Sequence, residues 1–444
     1  MAYNSKTEIS SSGSSHIPHW HDPEGSRFTV NEGEGPYLFD ETGEAYLDFV
    51  SSLYCANAGH DNQNIIDAMT EQLQRVPYVS SAKENDTRTE LADRLADIAP
   101  DSLSDVVFSV SGSEANELAI QFARKKQDAS KILTRWNSYH GSTYGAGALT
   151  GEPTTRNAVE THAATTGAVK FLPARAHDSP FDADSPEALA KQAADHVEFV
   201  IRNEGPETVA AILIEPVAGS SGSYTAPPGY FERLREICDE YDVLMIADEV
   251  ITGFGRCGEM FGMQTEGVVP DMLTFAKGVT SSYAPLAGVI MRPEVGESIR
   301  SGTDIGQTFA GHPVGCAAAL AAIDEYEDHL IENVQELAPI LENELESLAA
   351  NHEEITTVRG RGFHWSIVVE NPETGDPFKN SWVSDEDTDN PLNDITEFAE
   401  DEGLLVGMGR PDYQLIASPP LCVDESEIRE AVSILDEAFE TVFN

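Results

Sequence analysis

Apolar runs and amphipathic stretches alternate along the chain from about residue 62 to residue 330. Apolar residues at consecutive positions are typical of strands that are buried on both faces of a parallel sheet. The clearest predicted strands are residues 105–109, 131–135, 210–215, 244–249 and 272–276. Between them apolar residues recur at helical spacing, and the clearest predicted helices are residues 62–75, 88–98, 113–126, 186–202 and 228–241. This alternation predicts an α/β fold with a mostly parallel sheet flanked by helices.

The pattern also divides the chain into four parts. Residues 1–15 are polar and rich in serine, which predicts a disordered tail. Residues 16–60 contain a predicted hairpin at 36–50, and we expect this N-terminal segment to join the small domain. Residues 61–325 form the predicted large domain. Residues 326–444, which predict helices, strands and an acidic loop, form a smaller α+β domain.

The net charge of the chain indicates the kind of solvent in which the protein works. The 444 residues include 77 acidic and 27 basic side chains, which gives a formal net charge of −50. With 40% hydrophobic residues the chain has enough apolar surface for a core, so the charge does not indicate disorder. Such a surface would repel nucleic acid and anionic membranes, and we expect neither as a partner. In molar salt the screening length falls to about 3 Å, so the composition suggests a halophile.

Targeting signals and cysteine usage point to the cytoplasm. No apolar run reaches the roughly 20 residues that cross a bilayer, and the polar N-terminus does not resemble a signal peptide. The five cysteines are scattered without a CxxC pair, which favours reduced thiols over a disulfide framework or a zinc site. We therefore expect a soluble cytoplasmic protein.

Two residues at predicted strand ends carry candidate chemistry. Lys277 ends an apolar run, where desolvation would lower the pKa of its amine and make it a nucleophile; a lysine that extends from a strand end to solvent is the alternative. Asp248 follows five apolar residues at the edge where open α/β sheets bind ligands. In strand geometry Asp248 and Val250 share a face and Glu249 points away. An acid that caps the next turn is the alternative for Asp248.

Two glycine-containing segments are candidate phosphate sites. Ser111 and Glu114 fit a capping box at the start of a helix. Gly112 there allows close approach of an anion to the first-turn amides, although a plain helix cap is the alternative. The GxGxxG sequence at residues 253–258 has neither a clear helix nor an acid-ended strand after it, which disfavours a dinucleotide site.

Six ordered motifs resemble those of one enzyme family. They are SGSEANE (111–117), RWNSYHGST (135–143), ILIEPV (212–217), ADEVITGFGR (247–256), FAKG (275–278) and TFAGHPVGCAAAL (308–320). Together they resemble the class III aminotransferases, which are fold-type I enzymes that use pyridoxal 5′-phosphate (PLP). The resemblance extends from about Gly35 to the C-terminus and is nearest to the ω-aminotransferases of the ω-amino acid:pyruvate type.

The resemblance implies a role for each residue around the cofactor ring. Lys277 would bind PLP covalently and then act as the base that moves the substrate's α-proton. Asp248 would keep the pyridine nitrogen protonated. Val250 and Tyr139 would pack on the two faces of the ring, and His140 beside Tyr139 would be a structural residue.

It also implies how the phosphate is held and how subunits combine. Gly112 and Ser113 would bind the phosphate, and Thr308 would reach the phosphate in the neighbouring subunit. The enzyme would therefore be a homodimer or a dimer of dimers. Glu215 would lie near the cofactor's edge and pair with an arginine of the substrate site.

Substrate residues follow from the same resemblance. Trp20 and Tyr54 would line the pocket mouth, and Arg410 is the candidate for binding a carboxylate. We expect an amine or ω-amino acid as donor and a keto acid such as pyruvate as acceptor, in ping-pong half-reactions. A PLP-dependent aminomutase or decarboxylase of the same family is the alternative. A PLP-binding gene regulator would need a basic DNA-binding module, which this acidic chain does not offer.

Overall fold

The computed structural model describes residues 19, 29–161, 167–300, 302, 305–383 and 388–443. Trp20 and the predicted tail at residues 1–15 lie outside the described residues. Residues 384–387, which are part of the predicted acidic loop, lie outside them as well. No helix in the described ranges is both long and apolar enough to cross a membrane.

The ten strands and helices predicted between residues 62 and 276 lie close to their observed bounds. The strands are β1 Val30–Glu34, β2 Tyr37–Asp40, β3 Ala45–Asp48, β4 Asp105–Ser109, β5 Lys131–Arg135, β6 Ala168–Phe171, β7 Val209–Ile214, β8 Leu244–Asp248, β9 Met272–Phe275, β10 Ala287–Met291, β11 Ile355–Arg361, β12 His364–Val369, β13 Leu404–Leu405, β14 Gly407–Met408 and β15 Gln414–Ala417. The α-helices are α1 Ser51–Tyr54, α2 Gln63–Arg75, α3 Asp86–Ile98, α4 Gly112–Gln127, α5 Tyr144–Leu149, α6 Pro153–Glu160, α7 Pro186–Glu204, α8 Tyr230–Tyr241, α9 Pro293–Arg300, α10 Pro313–Glu325, α11 Ile331–Asn351, α12 Pro391–Asp401 and α13 Glu425–Phe443. A π-helical turn, Tyr326–Leu330, joins α10 to α11.

A seven-stranded sheet in the order β4-β10-β9-β8-β7-β5-β6 forms the centre of the fold. The pairs from β6 to β9 are parallel, whereas β10 is antiparallel to both of its neighbours. The predicted mostly parallel sheet is therefore confirmed, and all five predicted strands are present. The sequence analysis missed β6 and β10. Because β4 is antiparallel to β10, it runs in the same direction as the parallel strands.

Two smaller sheets lie outside this centre. The predicted hairpin is formed by β2 and β3, and the Asp40 carboxylate at its turn accepts from the N–H groups of Thr42 at 2.7 Å and Glu44 at 2.9 Å. Strand β13 adds to β3 in parallel, which joins the N-terminal segment to the C-terminal region. The order of the other sheet is β11-β12-β15-β14, all antiparallel. The proposed domain boundary at 325/326 falls where α10 meets the π-helical turn.

The central sheet brings the candidate functional residues together at one edge. Strand β7 is buried along its whole length, so its side chains anchor the sheet rather than face solvent. Arg135 and Asp248 are the last residues of β5 and β8, and Glu215 follows β7 directly. Ser111 and Lys277 come two residues after β4 and β9. All of these side chains lie at the carboxyl ends of strands, which is where ligands of such sheets bind.

Candidate active site

A cavity of about 290 Å³ opens at the carboxyl ends of these strands. Nine of the residues proposed from the sequence line it together: Tyr54, Gly112, Ser113, Tyr139, Glu215, Asp248, Val250, Lys277 and Arg410. They come from separate elements of the chain, so the fold brings the proposed site together. Thr308 does not line this cavity.

Lys277 lies just beyond β9 at the start of a short 3₁₀ turn, Lys277–Thr280. Its backbone φ is +45°, which is uncommon for a residue with a side chain and indicates that the surrounding structure holds it there. Burial, the largest influence, lowers the pKa of the amine. The Nζ atom lies 5.6 Å from the centre of the Tyr54 ring. Such an amine is more readily deprotonated than that of a surface lysine.

Asp248 is buried at the end of β8 and is held by three donors. His140 Nδ1 lies 2.8 Å from Oδ2, and because a carboxylate only accepts, the histidine donates. The Asn116 amide donates to the same oxygen at 2.9 Å, and the Val250 N–H donates to Oδ1 at 3.2 Å. The carboxylate is therefore held in a fixed orientation at the cavity wall.

Asn116 and His140 both hold Asp248, although the sequence analysis gave Asn116 no role and His140 only a structural one. The Thr274 hydroxyl donates to Asn116 Oδ1 at 2.9 Å, and the Asn116 amide also donates to the His140 carbonyl at 2.7 Å. His140 Nε2 lies 2.9 Å from the Thr134 hydroxyl. The available signal for Asn116 was its spacing, because it lies one helical turn after Gly112 on the buried face of α4.

The first turn of α4 forms the candidate phosphate site. The Ser111 hydroxyl accepts from the Glu114 N–H at 3.3 Å, as the predicted cap requires. The Glu114 carboxylate accepts instead from the N–H of Val110, one residue before the expected position. A Cβ on Gly112 would lie 2.9 and 3.0 Å from the two methyl carbons of Val250, so any side chain there would force Val250 or the start of the helix to move. At Gly112 the start of α4 therefore exposes only its backbone to the cavity. The unpaired N–H groups of the first helical turn favour an anion there.

Gly141 brings a second loop to the same place. Its φ is +131°, and a Cβ there would lie 2.4 Å from the Ser113 hydroxyl oxygen. The N–H of Ser142 donates to that hydroxyl at 3.2 Å. The Ser113 side chain, which α4 carries, is thus held against this loop at the cavity wall.

The structure corrects the expected partner of Glu215. Its carboxylate accepts from Arg135 Nη2 at 2.9 Å and from the Gly219 N–H at 3.0 Å, and its carbonyl accepts from Arg135 Nη1 at 3.1 Å. Both members of this ion pair are buried. Arg135 ends β5 and does not line the cavity, so it is a supporting residue rather than an arginine of the substrate site.

Arg410 reaches the cavity from the loop between β14 and β15. Its N–H donates to the Ser220 carbonyl at 2.8 Å, and Nη1 lies 3.5 Å from the Thr155 hydroxyl. It lines both the inner cavity and a larger outer cavity of about 940 Å³. Burial raises the pKa of Tyr54 to about 12, although the Arg410 charge opposes that rise. The Arg410 charge is therefore close enough to affect the pKa of Tyr54 in the wall of the inner cavity.

Thr308 belongs to an exposed surface. Its carbonyl accepts from the Tyr78 hydroxyl at 2.9 Å, and the Tyr78 and Phe309 rings pack edge to face at 6.0 Å. These two rings are 41% and 59% exposed, respectively. Within a single chain Thr308 contributes nothing to the cavity.

Comparisons with known proteins give consistent similarities over nearly the whole chain. Residues 20–439 match the family described as Aminotransferase class-III. The chain is 34% identical to putrescine–pyruvate aminotransferase of Pseudomonas aeruginosa over 91% of this chain and 89% of that protein. It is 33% identical to γ-aminobutyrate transaminase 3 of Solanum lycopersicum, with 82% and 72% coverage.

Solved structures show the same similarity in three dimensions. The PMP-bound form of an aminotransferase from Vibrio fluvialis superposes with a TM-score of 0.88 at 31% identity, covering 97% of this chain and 96% of that one. The ω-transaminase of Pseudomonas jessenii in complex with PMP gives 0.89 at 28% identity, with 96% of each chain covered.

Proposed function

The chain belongs to the class III aminotransferase family and is a PLP-dependent transaminase, and we propose that it transfers an amino group from an amine or ω-amino acid to a keto acid such as pyruvate. The observation that carries this proposal is one cavity that combines the Lys277 amine, the fixed Asp248 carboxylate and the start of α4. An amine, an acid and an anion site are what transamination with PLP requires.

The residues present fit PLP. The buried Asp248 carboxylate matches a protonated pyridine nitrogen. Gly112 and Ser113, at the start of α4, match a phosphate, and Val250 and Tyr139 line the cavity where the flat ring would lie. When bound, PLP supplies an electron sink for the carbanion that proton removal leaves on the substrate.

The chain's own groups would then do the proton transfer. Lys277 Nζ, with its lowered pKa, would take the proton from the amine-bearing carbon of the donor and pass it to the cofactor, and would supply the proton that the carbonyl carbon of the acceptor gains in the second half-reaction. Asp248, held by His140 and Asn116, keeps a proton on the ring nitrogen throughout. A fixed carboxylate needs no reorganisation when charge develops, which favours the reaction.

Substrate recognition would combine an apolar wall with one cation. Leu53, Tyr54 and Met408 line the cavity and suit an apolar stem. The Arg410 guanidinium would bind the carboxylate of the keto acid or ω-amino acid. Trp20, also proposed for the pocket mouth, lies outside the described residues.

The assembly we propose is a homodimer or a dimer of dimers. The exposed rings of Tyr78 and Phe309 beside Thr308 support a subunit contact there, because large exposed aromatic groups are common at interfaces. Thr308 would then complete the phosphate site of the neighbouring subunit.

The composition supports a cytoplasmic location in a halophile. With a net charge of −50, self-repulsion destabilises the folded chain in dilute buffer and is screened by molar salt. Full stability and activity without added salt would contradict this part of the proposal.

A donor panel tests the function. β-Alanine, γ-aminobutyrate, ornithine and arylalkylamines would each be supplied with pyruvate in molar KCl, with alanine and the carbonyl product measured. We expect equal amounts of the two products for at least one donor. Release of carbon dioxide, or an isomerised amino acid without alanine, would instead support the alternative of a decarboxylase or an aminomutase.

A further inference from the structure

Arg256 is the largest fully buried side chain of the described residues, and no carboxylate in those ranges pairs with it. Its guanidinium donates instead to neutral acceptors: Ser51 Oγ at 3.1 Å, Asn57 Oδ1 at 2.8 Å, the Phe363 carbonyl at 3.1 Å and the Pro419 carbonyl. The charge of the buried Asp48 carboxylate acts on the guanidinium without pairing with it, and a buried cation without a paired counter-ion is strongly unfavourable. Its presence therefore calls for a physical reason beyond packing.

The four acceptors belong to separate parts of the chain. Ser51 and Asn57 flank Tyr54 in the N-terminal segment. Phe363 and Pro419 come from the C-terminal region, beside β12 and β15. Arg256 itself follows β8, the strand that carries Asp248. One planar guanidinium thus joins three segments that surround the cavity.

Asn57 links this cluster to the lysine. Its amide donates to the Phe254 carbonyl at 2.9 Å, and a Cβ on Gly278 would lie 2.6 Å from the same amide nitrogen. Gly278 directly follows Lys277. On the other side, the Tyr326 hydroxyl of the π-helical turn donates to the Gly278 carbonyl. The residue that follows Lys277 is therefore packed against Asn57 and hydrogen-bonded to Tyr326, which restricts the Lys277 turn.

We propose that Arg256 is a positioning residue for transamination: it holds residues 51–57, and with them Tyr54, against the Lys277 turn, and its positive charge acts on the amine of that turn. The proposal rests on the proposed function, because it assigns Arg256 to the site where Lys277 acts. It makes Arg256 neither a PLP ligand nor a substrate ligand.

Charges around Lys277 are consistent with this role. Cys55, Asp248 and Glu215 act to raise the pKa of the Lys277 amine, whereas burial and the Arg256 charge lower it. Two further titratable neighbours add no charge at neutral pH: burial lowers the pKa of His364 to about 3 and raises that of Tyr54 to about 12. Arg256 is thus the cation that opposes the nearby acids and helps to keep the amine unprotonated.

Two variants separate the charge from the hydrogen bonds. Arg256→Met removes both, and Arg256→Lys keeps the charge but loses the planar fork. Arg235→Met is the matched control, because Arg235 is also a largely buried arginine but pairs with Asp271 and Asp239 away from the cavity.

Both readouts use the protein without PLP or substrate. Lysines would be methylated with ¹³C-formaldehyde and titrated by NMR, with the Lys277 resonance assigned by its loss in Lys277→Arg. Hydrogen exchange of residues 51–57 would be followed by mass spectrometry. Because neither measurement needs turnover, a failed donor panel and a failed positioning role remain distinguishable.

We expect Arg256→Met to raise the Lys277 pKa, because it removes a positive charge that acts to lower it, and Arg256→Lys to leave it unchanged. In both variants the backbone amides of residues 51–57 should exchange at least tenfold faster. Arg235→Met should change neither the Lys277 pKa nor this exchange rate. An unchanged Lys277 titration in Arg256→Met would overturn the electrostatic role. If that variant does not fold, unchanged exchange in Arg256→Lys would overturn the positioning role.

Discussion

Substituting Gly112 by alanine tests the geometry of the cofactor site most sharply. The new Cβ would lie 2.9 Å from Val250 Cγ1. Carbon atoms in contact prefer about 3.5–4.0 Å, so Val250 or the start of α4 has to move by roughly 0.6–1 Å. Either movement disturbs a proposed PLP contact, since Val250 faces the ring and α4 faces the phosphate.

The magnitude follows from overpacking. Inserting a methyl group into a packed site costs about 1–3 kcal/mol, which corresponds to an increase of about 5- to 150-fold in the dissociation constant for PLP. The protein without PLP should lose little stability, because Val250 can shift into the open cavity. Alanine is also a better helix former than glycine by about 0.5–1 kcal/mol.

The assay is a titration of the protein with PLP, followed by absorbance, with thermal unfolding of the PLP-free protein beside it. Gly315→Ala is the control, because a new Cβ on this helical glycine of α10 would lie 3.5 Å from the Pro285 carbonyl oxygen, an ordinary contact distance. A Val250→Ala substitution added to Gly112→Ala should recover part of the affinity, with a coupling of about 0.5 kcal/mol or more. PLP affinity within twofold of the wild type in Gly112→Ala would refute the reasoning.

Four further predictions concern single groups and the solvent. Lys277→Ala should leave no covalent PLP adduct after borohydride reduction, and mass spectrometry showing an adduct at another residue would contradict its role. Arg410→Ala should raise KM for pyruvate about tenfold or more, with little change in KM for an amine donor that has no carboxylate; equal changes would contradict carboxylate binding. Burial raises the pKa of Glu249 from its ordinary 4.5 to about 7, so the stability that its proton contributes is complete below pH 4.5 and lost as pH rises through about 7. Relative to the wild type, Glu249→Gln should therefore gain stability across that window in urea unfolding, and a flat difference would contradict the shift. Finally, the urea midpoint of the wild type should rise with KCl up to molar concentration, and a midpoint independent of salt would contradict the charge argument.

The residues at strand ends could be predicted from the sequence because local rules determine them. Asp248 and Lys277 each end or follow an apolar run, and a parallel sheet brings such ends to one edge. Gly112 was predictable for the same reason, since a helix start after a strand has a recognisable cap. Each of these signals lies within a few consecutive residues.

Features that depend on distant partners could not be predicted in this way. The Arg135–Glu215 pair and the contacts of Arg256 join positions far apart in the sequence, and no periodicity connects them. Strand β10 was missed because it contains Gly288, which weakens a strand pattern. That glycine has a tertiary cause, because a Cβ there would lie 2.5 Å from the Val107 carbonyl oxygen of the neighbouring strand.

The central claim is that Lys277 and Asp248 carry an amino-group transfer in which the cofactor keeps the nitrogen. The most direct measurement mixes the PLP-loaded protein with an amine donor in molar KCl, without a keto acid, and quantifies the products by chromatography. The account predicts pyridoxamine 5′-phosphate and the carbonyl product in equal amounts, up to one per site, and none of either with Lys277→Ala. Release of carbon dioxide, or a carbonyl product without pyridoxamine 5′-phosphate, would contradict it.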